Sequence, residues 1–189
     1  MADVARVPPP NDRQSPARFV HCVLQSNDLE AMREWYSTVL GAEVMFANKR
    51  IVFLTYDDEH HRIAFVKRDG LKPPVKGHVG LDHIAYAYDT LGELVEAHDR
   101  LKAEDIVPRR SINHGLTTSM YYEDPDGNGV ELQIDNFDSV GELNDWFAGG
   151  AFNRNQMGAD IDMDEISRRL RDGVPEAVLR KPWTETVEA

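Results

Sequence analysis

Two stretches of the chain carry the same pattern of apolar and polar positions. Residues 19–46, FVHCVLQSNDLEAMREWYSTVLGAEVMF, and residues 81–108, LDHIAYAYDTLGELVEAHDRLKAEDIVP, superpose without a gap. Each begins with an alternation of apolar and other residues, which predicts a strand with one buried face. Asp28 or Thr90 then supplies a cap-type side chain before a run of helical period. The apolar stripe falls on matching positions, Leu29, Met32, Tyr36 and Val39 in the first copy and Leu91, Leu94, His98 and Leu101 in the second. Such spacing lays one buried face along each helix.

Further strand-like runs follow each helix. They are EVMFAN, RIVFLTYD and HRIAFVKRD in the first half, and IVPRRSI, TTSMYYED and NGVELQID in the second, with DGLKPPVKG between the halves. The chain is therefore expected to be α+β, two βαβββ modules forming one cupped mixed sheet, with a C-terminal helical extension. A half of this kind buries one sheet face under its own helix and needs a partner for the other, so function is expected on that second face. The expected boundaries are a disordered N-terminus over residues 1–16, one domain over 17–137 with modules at about 17–69 and 78–137, and an extension over 138–189. In the extension, DMDEISRRLRDG reads as an amphipathic helix. Its aromatic residues Trp146, Phe147, Phe152 and Trp183 imply that it packs back on the body, over the sheet mouth or at a dimer interface.

Charge and composition narrow the functions. A net charge of −12 without a clustered Lys/Arg stripe argues against nucleic acid and acidic membranes as partners. No apolar run reaches the length of a membrane span, and MADVARVPPPNDRQSP lacks the apolar core of a secretory signal. A single cysteine, Cys22, suits a reducing compartment, so the expected location is cytoplasmic.

The candidate chemistry sits on the repeat. His21 falls on His83, and aligning HRIAFV with NGVELQ sets Glu131 against Ala64. Alternation turns Cys22 and Leu24 toward the helix of the first half, and Val130, Leu132 and Ile134 likewise in the second, so Cys22 reads as core. His21, His83 and Glu131 then point the opposite way. Two imidazoles and one carboxylate make the open triad of non-haem Fe(II) sites that handle oxygen, and Ala64 leaves room for substrate and O2. His98 on its buried stripe and His78 in the linker both read as structural or solvated. Glu123 and Asp124 read as solvated turn carboxylates, and the DPDG turn at 124–127 as chemistry that serves the hairpin.

NHGLTTSMYYEDPDGNGVELQIDNF resembles the vicinal oxygen chelate superfamily, and within it the single-domain type I extradiol ring-cleavage dioxygenases, in particular the 2,3-dihydroxybiphenyl dioxygenases of type III. The resemblance covers residues 19–137 and the tail after QIDNF. It implies the glyoxalase/bleomycin resistance/dioxygenase fold and a catalytic domain inserting both atoms of O2 into a catechol-type substrate. It further implies Fe(II), or Mn(II), held by His21, His83 and Glu131. It makes His61 the acid–base histidine, Tyr121 a hydrogen-bond donor to substrate oxygens, and His114 a histidine of the oxygen pocket. His60 competes with His61, because by strand parity His61 falls on the opposite face from Ala64 and must act from the strand's end or beyond a bulge. The partners expected are a catechol and O2 in a homo-oligomer. Two other classes share the fold: a metal-dependent isomerase, epimerase or lyase of the glyoxalase kind, which usually places a carboxylate where Ala64 stands, and a metal-free binding protein of the bleomycin-resistance kind.

Overall fold

The computed structural model describes residues 15–75 and 77–182. The expected disorder of residues 1–16 falls almost wholly outside them, as does Trp183. Both halves run strand, helix, strand, strand, strand: β1 (Cys22–Ser26), α1 (Leu29–Leu40), β2 (Glu43–Ala47), β3 (Ile51–Thr55) and β4 (Ile63–Lys67), then β5 (His83–Ala87), α2 (Leu91–Ala103), β6 (Arg110–Asn113), β7 (Thr117–Glu123) and β8 (Gly129–Asp135). The strand order repeats as well, β1-β4-β3-β2 and β5-β8-β7-β6. The fold class stands. Hydrogen bonding divides its strands into two sheets, one for each module, rather than running a single ladder through both.

Local chemistry accounts for the helix limits. The Asp28 carboxylate accepts from the amides of Glu30 and Ala31, both at 3.1 Å, satisfying two of the donors that a helix start leaves open. Gly41 ends the same helix at φ 64°, a left-handed conformation that costs a glycine little. Thr90 and Glu93 form a reciprocal capping box on α2. Met32, Tyr36 and Val39 are fully buried, as are Leu94 and Leu101, so the two stripes lie on the predicted faces. His98 is buried on the second stripe with Nδ1 3.1 Å from Asp99, the structural one of the two roles expected of it.

The described chain falls into two compact units. One comprises residues 15–84 together with 123–130; the other comprises 85–122 together with the chain from 131. In the first, β1 runs parallel to β4, with Val23 beside Ala64, and β3 runs antiparallel to β4, with Phe53 on the other side of Ala64. In the second, the extension joins the second module. Its elements are α3 (Val140–Ala148), α4 (Ala151–Arg154), β9 (Ala159–Asp160), α5 (Met163–Arg171) and α6 (Glu176–Leu179). β9 pairs antiparallel with β6 at the sheet edge. α5 lies on α2, burying Met163 and Ile166, with Ser167 Oγ donating to Asp99 at 2.9 Å and Lys102 to Asp164 at 2.7 Å. Phe137, Trp146, Phe147 and Phe152 cluster ring to ring at 5.3–5.9 Å. The aromatics of the extension therefore bury much of their area against one another.

Candidate active site

In the first unit, His21 lies immediately before β1 and is exposed, on the same side of the strand as Val23 and Gln25, while Cys22 and Leu24 are half-buried on the other. His60 and His61 lie in the loop ahead of β4, so the strand's parity does not govern them. The His61 ring is held in a stack: His21 covers one neighbour position at 4.4 Å with 27° between planes, and Phe53 another at 4.3 Å with 11°. His60 touches His61 through facing Nδ1 atoms at 2.5 Å, its own side chain 62% exposed. Of the adjacent histidines, His61 is the one stacked on a candidate ligand. Desolvation, then the nearby positive charge possible on His21 and His60, hold its pKa below the ordinary histidine value, which favours the neutral, proton-accepting ring.

His83 opens β5, and its Nδ1 stands 2.7 Å from an Asp82 carboxylate oxygen. In the second unit, β8 alternates as expected: Val130, Leu132 and Ile134 are buried on one face, and Glu131, itself 5% exposed, points to the other. Tyr121 on β7 donates its hydroxyl hydrogen to Glu131 Oε1 at 3.0 Å, and His114 Nε2 lies 2.8 Å from the same hydroxyl. With the Tyr121 hydroxyl hydrogen directed at Glu131, the tyrosine oxygen accepts from His114 Nε2–H. His114, Tyr121 and Glu131 thus form one directed chain.

The sequence reading of Asp124 needs correction. Asp124 is 5% exposed, where a solvated turn carboxylate was expected. It accepts from the amides of Asp126 and Asn128 at 3.0 and 2.8 Å, from Asn128 Nδ2 at 2.9 Å, and from the Tyr36 hydroxyl at 3.1 Å. The turn is tight because its first carboxylate is its own hydrogen-bond hub. Glu123 is exposed, as expected. Phe53 was not singled out from the sequence, although its position opposite Ala64 on β3 was recoverable once strand pairing was known.

Among the described residues, no three His, Cys, Asp or Glu side chains are already grouped as a metal site. The donor set His21, His83 and Glu131 nevertheless fits a non-haem iron in kind, two imidazoles with a buried carboxylate. His21 and His83 belong to the first unit and Glu131 to the second.

The family model described as Glyoxalase/Bleomycin resistance protein/Dioxygenase superfamily matches residues 18–132. The chain belongs to this superfamily. It is 44% identical over 159 residues to biphenyl-2,3-diol 1,2-dioxygenase 2 of Rhodococcus globerulus, an alignment spanning 84% of each chain. It is 43% identical over 164 residues to biphenyl-2,3-diol 1,2-dioxygenase 3 of the same organism, spanning 86% of each. The crystal structure of a glyoxalase/dioxygenase from Nostoc punctiforme superposes with a TM-score of 0.56 at 19% identity, covering 67% of this chain and 99% of that one, a likeness of fold. No helix among the described residues is long and apolar enough to cross a membrane.

Proposed function

We propose that the protein is an extradiol ring-cleaving dioxygenase that inserts both atoms of O2 into a catechol-type substrate. The observation that carries this reading is the similarity, over more than four-fifths of both chains, to two biphenyl-2,3-diol dioxygenases. The metal is Fe(II), with Mn(II) the alternative, held by His21, His83 and Glu131. When bound, it supplies the Lewis acidity and electron transfer that let a catecholate react with O2. The protein's own part is proton handling and oxygen recognition. His61 takes a substrate proton at Nε2, since its Nδ1 is turned to His60, and the stack against His21 and Phe53 fixes the plane in which it does so. Once Glu131 is taken up by the metal, the Tyr121 hydroxyl hydrogen that it now accepts is free to donate to a substrate oxygen, and His114, released from the tyrosine oxygen, to stabilise oxygen charge. The single cysteine suits a cytoplasmic enzyme.

The test is anaerobic reconstitution with Fe(II), admission of air, and a panel of catechols followed in the visible region for a yellow semialdehyde-type product. A chain that takes up iron yet turns over none of the panel, while converting a glyoxalase substrate, reverses the assignment. Iron content that stays unchanged in all of His21→Ala, His83→Ala and Glu131→Ala removes the ligand set.

A further inference from the structure

The two repeat-matched histidines are held by different means, and the difference falls on their neighbours. In the first module, Val20 precedes His21, and the position on β4's approach that matches Gly129 is Arg62. Arg62 Nη1 reaches back to the carbonyls of Phe19 and Val20 at 2.7 and 3.1 Å, gripping the backbone that leads into His21. In the second module, Asp82 replaces the valine and Gly129 replaces the arginine. A Cβ on Gly129 would stand 2.3 Å from the Asp82 carbonyl oxygen and 3.0 Å from His83 Cβ. Only a residue without a side chain lets β8 approach His83 this closely. With the backbone so fixed, the Asp82 carboxylate lies 2.7 Å from His83 Nδ1.

We infer that Asp82 is a positioning residue for His83: it holds the proton on Nδ1, so that Nε2 is the nitrogen presented to the metal, and it sets the ring's rotation, with Gly129 giving the close approach on which that rotation depends. This rests on the reading of His83 as a metal ligand. The physical basis is general. A carboxylate can only accept from an imidazole N–H, so it selects one tautomer, and carboxylate partners of metal-binding histidines orient the ring and strengthen its hold. Asp82 has an 87% exposed side chain, so its removal leaves no buried charge and no cavity. The effect of removing it is confined to the ring it holds.

The experiment titrates the metal-free protein with Co(II), read by its visible d–d absorption, alongside the thermal unfolding of each metal-free variant. His83→Ala is the control for the underlying reading and should lose most Co(II) affinity. Asp82→Ala should bind Co(II) about tenfold more weakly, the lower end of the effect typical of such partners, with an unchanged melting temperature. Asp82→Asn keeps an oxygen that accepts from Nδ1 and should recover to within about threefold of the wild type. If His83→Ala binds Co(II) as tightly as the wild type, the ligand assignment fails and this inference falls with it. If His83→Ala loses Co(II) while Asp82→Ala binds at wild-type affinity, the ligand assignment stands and Asp82 has no positioning role. An Asp82→Asn variant as weak as Asp82→Ala assigns the effect to net charge and likewise overturns the inference.

Discussion

Replacing Asp124 by alanine tests whether the β7–β8 turn is held by its first carboxylate. The substitution removes four hydrogen bonds, from the Asp126 and Asn128 amides, from Asn128 Nδ2 and from the Tyr36 hydroxyl. The first three donors belong to half-buried residues of the turn, where water can replace the carboxylate at little cost. Tyr36 is fully buried, and a hydrogen bond to a charged acceptor contributes about 1.5–3 kcal/mol net. Against this stands the carboxylate's own desolvation, which outweighs its hydrogen bonds and raises its pKa, so that removing the charge returns part of the loss. The balance is a destabilisation of about 1–2 kcal/mol, below the gross bond by the part its desolvation returns. For a chain of this size that lowers the melting temperature by roughly 2–8 °C. Urea unfolding followed by tryptophan fluorescence measures it, and Tyr36→Phe completes a double-mutant cycle whose coupling should reach about 1 kcal/mol. The raised pKa adds a sign that can be checked. Between the ordinary aspartate value near 3.9 and the higher folded value, the folded state binds more protons than the unfolded state, so wild-type stability falls as pH rises through that window. Asp124→Asn does not titrate and should lack that slope. An Asp124→Ala chain within about 0.5 kcal/mol of wild type would refute the reasoning, because the Tyr36 bond would then contribute no more than the desolvation it offsets.

His61→Phe preserves a flat ring between His21 and Phe53, so it should keep its metal and bind catechol while turnover falls roughly a hundred- to ten-thousand-fold, whereas His60→Phe should fall far less. Steady-state rates with metal content measured on the same samples decide it, and an exchange of the two behaviours gives the acid–base role to His60. Ending the chain at residue 158 strips β9 from β6 and α5 from α2, removing the burial of Met163 and Ile166, about 1.5–3 kcal/mol for each side chain. Differential scanning calorimetry should show a clear loss of stability; a truncated chain melting with the full-length protein shows that the extension rides on the body without holding it.

The repeat made most of the fold legible, because hydrophobic period and cap chemistry act locally and both copies report them independently. Thr90 and Glu93 announce a helix start wherever they fall, and Leu94, His98 and Leu101 mark its buried side without reference to anything distant. Strand starts were less legible. IVPRRSI reads as strand from Ile106, yet β6 begins at Arg110, after a proline that cannot donate to a ladder. The small elements of the extension, α4, β9 and α6, carry too few periods for a pattern to show.

The candidate site divides in the same way, into what alternation can decide and what only neighbours across strands can decide. Alternation alone separates Glu131 from Val130 and Leu132, and His21 from Cys22, since a residue's face on a strand is a property of its own position. It has nothing to say of His61, which precedes its strand, and the parity argument against that residue lapsed once β4 was seen to begin at Ile63. Nor can it foresee that Asp124 would be buried, because DPDG specifies a turn and the burial comes from Tyr36, far away in the chain on α1. The carboxylate beside His83 lies between these cases. Asp82 is plainly visible in LDHI, but so is every other exposed aspartate, and what distinguishes it is the missing side chain at Gly129 on a neighbouring strand. Where a residue's role is set by which atoms another strand leaves out, sequence spacing along one strand carries no trace of it, and the pairing of β5 with β8 has to be known first.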